Sequence, residues 1–203
     1  MNNLFIPLQA GRFYHIYNRG NNKENIFYKA ENYNYFLRQY DAYLSDYVET
    51  YCYCLLSNHF HLLVRVKDQI SPLPVGKKIY TLPNQVMSER FRRFFTSYAK
   101  AINKQENRTG SLFQKNFKRK EVTSGAYFDN LVNYIHTNPV KHGIWDDFRT
   151  YPHSSYQRML WDKPSKLFKT NVIQWFGSSE NYATHHDENS DFDNIKDLII
   201  EDE

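Results

Sequence analysis

The chain has 203 residues, 41% of them hydrophobic and 24% charged, with a net charge of +4. That length allows one α/β domain with a sizeable core and a modest appendage, so a second domain is not needed. No apolar run is long enough to cross a bilayer, and the opening stretch lacks the basic-then-apolar order of a secretory signal, so the chain is expected in the cytoplasm and away from membranes.

The charge is polarised. From Glu180 to Glu203 there are nine acidic residues against Lys196, so this tail carries about −8 and the rest of the chain about +12. A basic body suggests a polyanionic partner, although such patches are often only solvated surface. The two cysteines, Cys52 and Cys54, lie two apart in a strand-like run, cannot readily bridge each other, and read as small core residues.

In chain order, Arg12 to Arg19 alternates aromatic and polar residues and then meets Gly20-Asn21-Asn22, which predicts a first strand and a turn. From Ala30 to Asp46, Tyr33, Phe36, Leu37, Tyr40, Tyr43 and Leu44 recur at helical spacing. Val48 to Leu56 and His59 to Val66 flank the turn Ser57-Asn58 and read as a hairpin. Lys67 to Gln85, with Pro72, Pro74, Gly76 and Pro83, reads as a long irregular loop.

Val86 to Gln105 returns to helical period, with Phe91, Phe94, Phe95 and Tyr98 on one face and Arg90, Arg93, Lys100 and Lys104 on another. After a turn at Asn107 to Gly110, Phe117 to Val122 reads as the last strand. Thr123-Ser124 then caps a helix from about Ala126, which Pro139 should end near Asn138. The order β-α-β-β-α-β plus a helix predicts an α+β, ferredoxin-like antiparallel sheet with helices on one face, an open second face and an additional helix.

Alternation along His59 to Val66 sends Phe60, Leu62, Val64 and Val66 toward the helices and His59, His61, Leu63 and Arg65 to the other face. Two histidines so placed can share one cation, although a bare His-x-His triplet is equally a pair of surface or half-buried histidines. Tyr134 and Asn138 are four apart on the late helix, at the flank of its apolar stripe. If that helix docks beside the open face, Asn138 offers a third ligand and the Tyr134 phenol lies one turn away.

Mixed nitrogen and oxygen ligation argues for Mg²⁺ or Mn²⁺. A tyrosine nucleophile suits reversible strand transfer, because its phosphodiester keeps the energy of the broken bond. Asn before Pro is also frequent at helix ends for capping alone. Tyr127, seven residues before Tyr134, lies on a similar side, so spacing does not choose between the two tyrosines. Arg90, Arg93, Lys100, Lys104, Lys115, Lys118, Arg119 and Lys120 would neutralise DNA phosphates, or else form an ordinary solvated surface.

Several segments together resemble the single-tyrosine HUH transposases, and within them the transposases associated with repetitive extragenic palindromes. They are Tyr14 to Gly20, Ser57 to Val64, Gly110 to Gln114, Tyr134 to Lys141 and Ser154-Ser155-Tyr156, which span about residues 11 to 160 in the family's order. The resemblance implies a catalytic domain over residues 1–160, with His59, His61 and Asn138 as metal ligands and Tyr134 as nucleophile. Residues 161–203 would be a C-terminal extension with a partly disordered acidic tail.

It further implies action on single-stranded or hairpin DNA through a 5′-phosphotyrosine. The chain is expected to act as a monomer, and the wider family offers a dimer as the alternative. The asparagine at position 138 matches the palindrome-associated branch, where insertion-sequence relatives usually have glutamine. The 67–85 loop and the tail depart from the family pattern. Two rival readings use the same sheet: a non-catalytic nucleic-acid-binding module, and a metal phosphodiesterase that activates water and needs no tyrosine.

Overall fold

The computed structural model describes residues 6–188. The expectation of a disordered tail falls mostly on residues beyond Glu188, which lie outside the described residues. Strand β1 (Phe13–Arg19) leads into helix α1 (Ala30–Leu44), the hairpin of β2 (Val48–Leu56) and β3 (His59–Val66), helix α2 (Pro83–Gln105), strand β6 (Lys118–Val122) and helix α3 (Gly125–Lys141). The strands form one sheet in the order β2-β3-β1-β6, and every pair is antiparallel. The expected β-α-β-β-α-β succession is therefore present.

Two expectations change in detail. The 67–85 segment is not structureless: β4 (Leu73–Val75) and β5 (Lys78–Tyr80) form a small hairpin, and Pro83 starts α2. Proline suits a first helical position because its missing N–H has no intrahelical partner there. Helix α3 does not stop at Asn138 but runs to Lys141 with Pro139 inside it. Its end is closed by the N–H of His142 on Asn138 O and by Gly143 in the left-handed region at φ 62°. A proline costs least in a final turn, where few bonds remain to be lost.

The period-two pattern divides the core as expected. Phe60, Leu62, Val64 and Val66 join Ile16 and the apolar stripes of α1 and α2 in one buried cluster. Phe60 packs against Phe36, Phe95 and Phe113, with ring centroids 5.1, 5.7 and 6.3 Å away.

The second face of the sheet is not open. Cys52, Cys54, Leu56 and Leu63 are apolar and need cover, and α3 supplies it through Leu131, Val132 and Ile135. Behind α3 lie α4 (Tyr156–Leu160), α5 (Lys169–Phe176) and α6 (Ser179–Glu188), whose Val172 and Tyr182 are fully buried in the same cluster. The beginning of the acidic tail is thus helical, and α3 is enclosed on both sides.

Candidate active site

Strand register determines what surrounds the two histidines. His61 lies across from Tyr17 of β1 and Cys54 of β2, while His59 lies across from Arg19 and Leu56. One pair further along, His15 projects from the same face, and β6 adds Lys118 opposite Tyr17 and Lys120 opposite His15. Helix α3 brings Tyr134 and Asn138 down onto this row. Ser124 caps its N-terminus by accepting from Tyr127 N at 3.2 Å, as the sequence suggested.

His59, His61, Tyr134 and Asn138 therefore converge. The His59 and His61 ring centroids are 5.3 Å apart, and the Tyr134 ring meets His61 edge-on at 5.4 Å. Tyr134 and Asn138 have 0% exposure and do not sit at an open rim, because α3 lays them directly against the histidines of the sheet. Tyr127, the competing tyrosine, makes no ring contact with either histidine among the described residues. Its phenol oxygen is buried with no hydrogen-bond partner among the described residues and is pushed up in pKa by that burial, and its ring lies under Lys120 Nζ, 5.1 Å from the centroid.

The hydrogen bonds around His59 fix its tautomer. Asn58 Nδ2 donates to the Lys23 carbonyl at 3.2 Å, so Asn58 Oδ1 is an acceptor. It takes the proton of His59 Nδ1 at 2.6 Å. A neutral His59 then turns the lone pair of Nε2 toward Asn138 Oδ1, 3.2 Å away, so two acceptors face each other. Asn138 Nδ2 is buried with no hydrogen-bond partner among the described residues.

Such a pair is satisfied by a proton on Nε2, by a turned amide, or by a cation between the two atoms. Ligands at right angles about 2.1 Å from a cation lie about 3 Å apart, so the donor set fits a divalent ion. His61 Nδ1 meets His15 Nε2 at 2.9 Å, and donation in that direction leaves the His61 Nε2 lone pair for a ligand role. Among the described residues no three His, Cys, Asp or Glu side chains could hold a metal, so any cation held by His59 and His61 would have to draw on another donor, such as the Asn138 oxygen.

Three neighbours carry no site role in the sequence reading. His15 backs His61. Lys141 places Nζ 4.6 Å from the Tyr134 ring centroid, and His142 meets the His59 ring at 5.0 Å. The last two arrive on the helical turn that Pro139 was expected to abolish. His15 lay within a recognisable motif, and only strand register shows what it touches.

The residues expected to contact DNA are spread over more than one surface. Arg90 stacks over Tyr47 at 4.4 Å, and Arg93 bonds Glu89 at 3.1 Å. Lys104 is exposed, and Lys100, seven residues after Arg93 and four before Lys104, shares that side of α2 while also lining, with Lys115, a groove between α2 and the 110–119 segment. Alternation divides β6: Lys118 and Lys120 share the histidine face, and Arg119, opposite Ile16, faces the groove.

No protein-family model matches the chain. Over 112 residues, 54% of the chain, it is 29% identical to a Haemophilus influenzae protein named "Putative REP-associated tyrosine transposase", and the match spans 60% of that protein's length. A solved structure of a REP-associated tyrosine transposase bound to a REP hairpin has the same fold, with a TM-score of 0.56 at 19% identity over 77% of this chain and 82% of that one. In sequence and in fold, the chain is similar to the REP-associated tyrosine transposases.

Proposed function

We propose that the chain is a DNA strand transferase that acts on single-stranded DNA beside a hairpin, with Tyr134 as nucleophile and a divalent cation, Mg²⁺ or Mn²⁺, held by His59, His61 and Asn138. The observation that carries this reading is the approach of His59 Nε2 to Asn138 Oδ1 at 3.2 Å, next to a tyrosine whose ring lies 5.4 Å from His61. The similarity to a protein solved with a REP hairpin supports the choice of DNA partner.

A cation bound there supplies Lewis-acid polarisation of the scissile phosphate. The chain's own residues do the rest. Lys141 holds its Nζ over the Tyr134 ring, 4.6 Å from the centroid, where its charge would offset negative charge that develops at the site during attack. The Tyr134 oxygen bonds to phosphorus as the bond to the 3′-oxygen breaks, and that oxygen takes up a proton to leave a 3′-hydroxyl. The resulting phosphotyrosine stores the bond energy, and a DNA hydroxyl reverses the step. His15 and Asn58 hold the two imidazoles in orientation through their second nitrogens.

The test is a denaturing gel of protein incubated with labelled hairpin DNA, an unpaired flank and Mn²⁺. Wild type should form a covalent adduct, and Tyr134→Phe and His61→Ala should not. An adduct persisting in Tyr134→Phe would refute the nucleophile and point to Tyr127. Cleavage without an adduct would favour a hydrolase, and binding without cleavage a recognition module.

A further inference from the structure

A groove of about 670 Å³ runs between α2 and the 110–119 segment, on the side of the sheet away from the histidines. Its α2 wall extends from Ser88 to Asn103, roughly 22 Å at the helical rise, which is longer than a single small ligand needs. The half-buried Phe117 stands at the groove wall with the largely buried Phe95 and Phe113 packed behind it, the Phe95 centroid lying 5.4 Å from Phe117 and 5.2 Å from Phe113. Arg92, Lys100, Lys115 and Arg119 line the groove, and no carboxylate does.

These groups differ in how committed they are. Arg92 is bound to Glu89 at 2.7 Å, whereas Lys100 and Lys115 form no ion pair among the described residues. The side-chain amides of Gln114 and Asn116, on either side of Lys115, have no hydrogen-bond partner among the described residues. Their backbone is nevertheless fixed: Gln114 N donates to Arg19 O at 2.8 Å, and Asn21 N donates to Leu112 O at 2.9 Å. Arg19 is the residue opposite His59, so the groove's wall is tied to the strand end that borders the candidate site.

Strand β6 is the edge of the sheet, and its residues are all half-buried. Its alternation sends Arg119 into the groove and Lys118 and Lys120 to the histidine face, so cations lead over the edge from one face to the other. Aromatic walls suit base stacking, lysines suit phosphates, and uncommitted amides can pair with a base edge.

We infer that this groove is a binding track for an unpaired DNA strand, which crosses the β6 edge to reach Tyr134. Lys100 and Lys115 take phosphates, and Gln114 and Asn116 read a base. The choice of ligand rests on the strand-transferase reading.

The test uses fluorescence anisotropy with a labelled DNA hairpin carrying a single-stranded flank, and with the same hairpin made blunt. Lys100→Ala/Lys115→Ala should weaken binding of the flanked hairpin about ten-fold and lower its salt slope by about 1.4, while changing the blunt hairpin by less than about two-fold. Gln114→Ala/Asn116→Ala should reduce discrimination between bases at one flank position about ten-fold. The melting curve of the lysine variant should overlay wild type, since both side chains lie on the groove surface; alanine at position 116, where φ is 63°, strains the backbone, so discrimination by the amide variant is compared per folded molecule.

Unchanged binding and base preference in both variants would overturn the inference, as would a loss confined to the RNA counterpart or a wild type that ignores the flank. Failure of the underlying reading looks different. Wild type that needs the groove to bind but forms no Tyr134 adduct would sink the strand-transfer chemistry and leave the track standing.

Discussion

Helix α3 carries buried histidine contacts on two opposite sides, and they close in different ways. On the side of α6, His186 Nδ1 donates to Tyr182 O at 2.7 Å, His136 Nδ1 donates to His186 Nε2 at 2.9 Å, and Ser155 Oγ donates to His136 Nε2 at 2.8 Å. Tyr53 N completes the chain by donating to Ser155 Oγ at 2.8 Å. Every ring nitrogen has a complementary partner with both histidines neutral. On the side of the sheet, the chain from Asn58 through His59 ends with an acceptor facing an acceptor at Asn138. Burial is common to both groups, so burial does not mark the site. What differs is the outer partner: a serine hydroxyl meets His136 Nε2, and the Asn138 amide oxygen meets His59 Nε2.

The largest expected effect separates the two groups by activity. His61→Ala should reduce adduct formation on the order of 10⁴-fold or more, whereas His136→Ala should leave the adduct yield per folded molecule within about two-fold of wild type. Equal losses would dissolve the distinction.

Next in size is the support of His59. Asn58→Ala releases its Nδ1 and should raise the Mn²⁺ concentration for half-maximal adduct about 10- to 100-fold, read by metal titration.

Acidification should strike the other side of the helix. Burial holds His186 down at about 4 and His136 well below its ordinary value, both under the unfolded value near 6.5. Below that pH the unfolded chain binds more protons than the folded one, so stability is complete above about 6.5 and falls as the pH drops toward 4. The loss from His186 alone is on the order of 3 kcal/mol, measurable by denaturant titration across that window. His186→Phe should flatten part of this slope.

The smallest effect belongs to cations that are already engaged. Arg90→Ala and Arg93→Ala should change hairpin affinity by less than about two-fold, because Tyr47 and Glu89 hold these side chains. A ten-fold loss in either would restore the single basic stripe.

The hairpin of β2 and β3 was legible because period-two alternation has one consistent solution: Phe60 must face the helices, and His59 and His61 must face away. The pairing of Tyr134 with Asn138 was legible from helical spacing alone. The turn beyond Pro139 was not, since local preference argued for a stop while His142 N and Gly143 supplied an end three residues later. Lys141 and His142 were lost with it. Cover over the second sheet face was hidden because it comes from segments far along the chain. Ser155 belonged to a recognisable motif, yet its place here is the His136 network, a distinction that only contacts reveal. The division of Lys118, Arg119 and Lys120 between two faces was readable in principle, since strand alternation applies to charged residues as it does to apolar ones.

The complete burial of Tyr134 has a kinetic consequence. Any substrate that must touch its phenol meets a competent form only in the fraction of molecules whose α3 contacts have opened. Apparent affinity is the intrinsic affinity scaled by that fraction. Substitutions that loosen the packing of α3 against Tyr182 and Leu63 should therefore raise the rate of strand capture while lowering the melting temperature. In this chain, speed and durability draw on the same contacts.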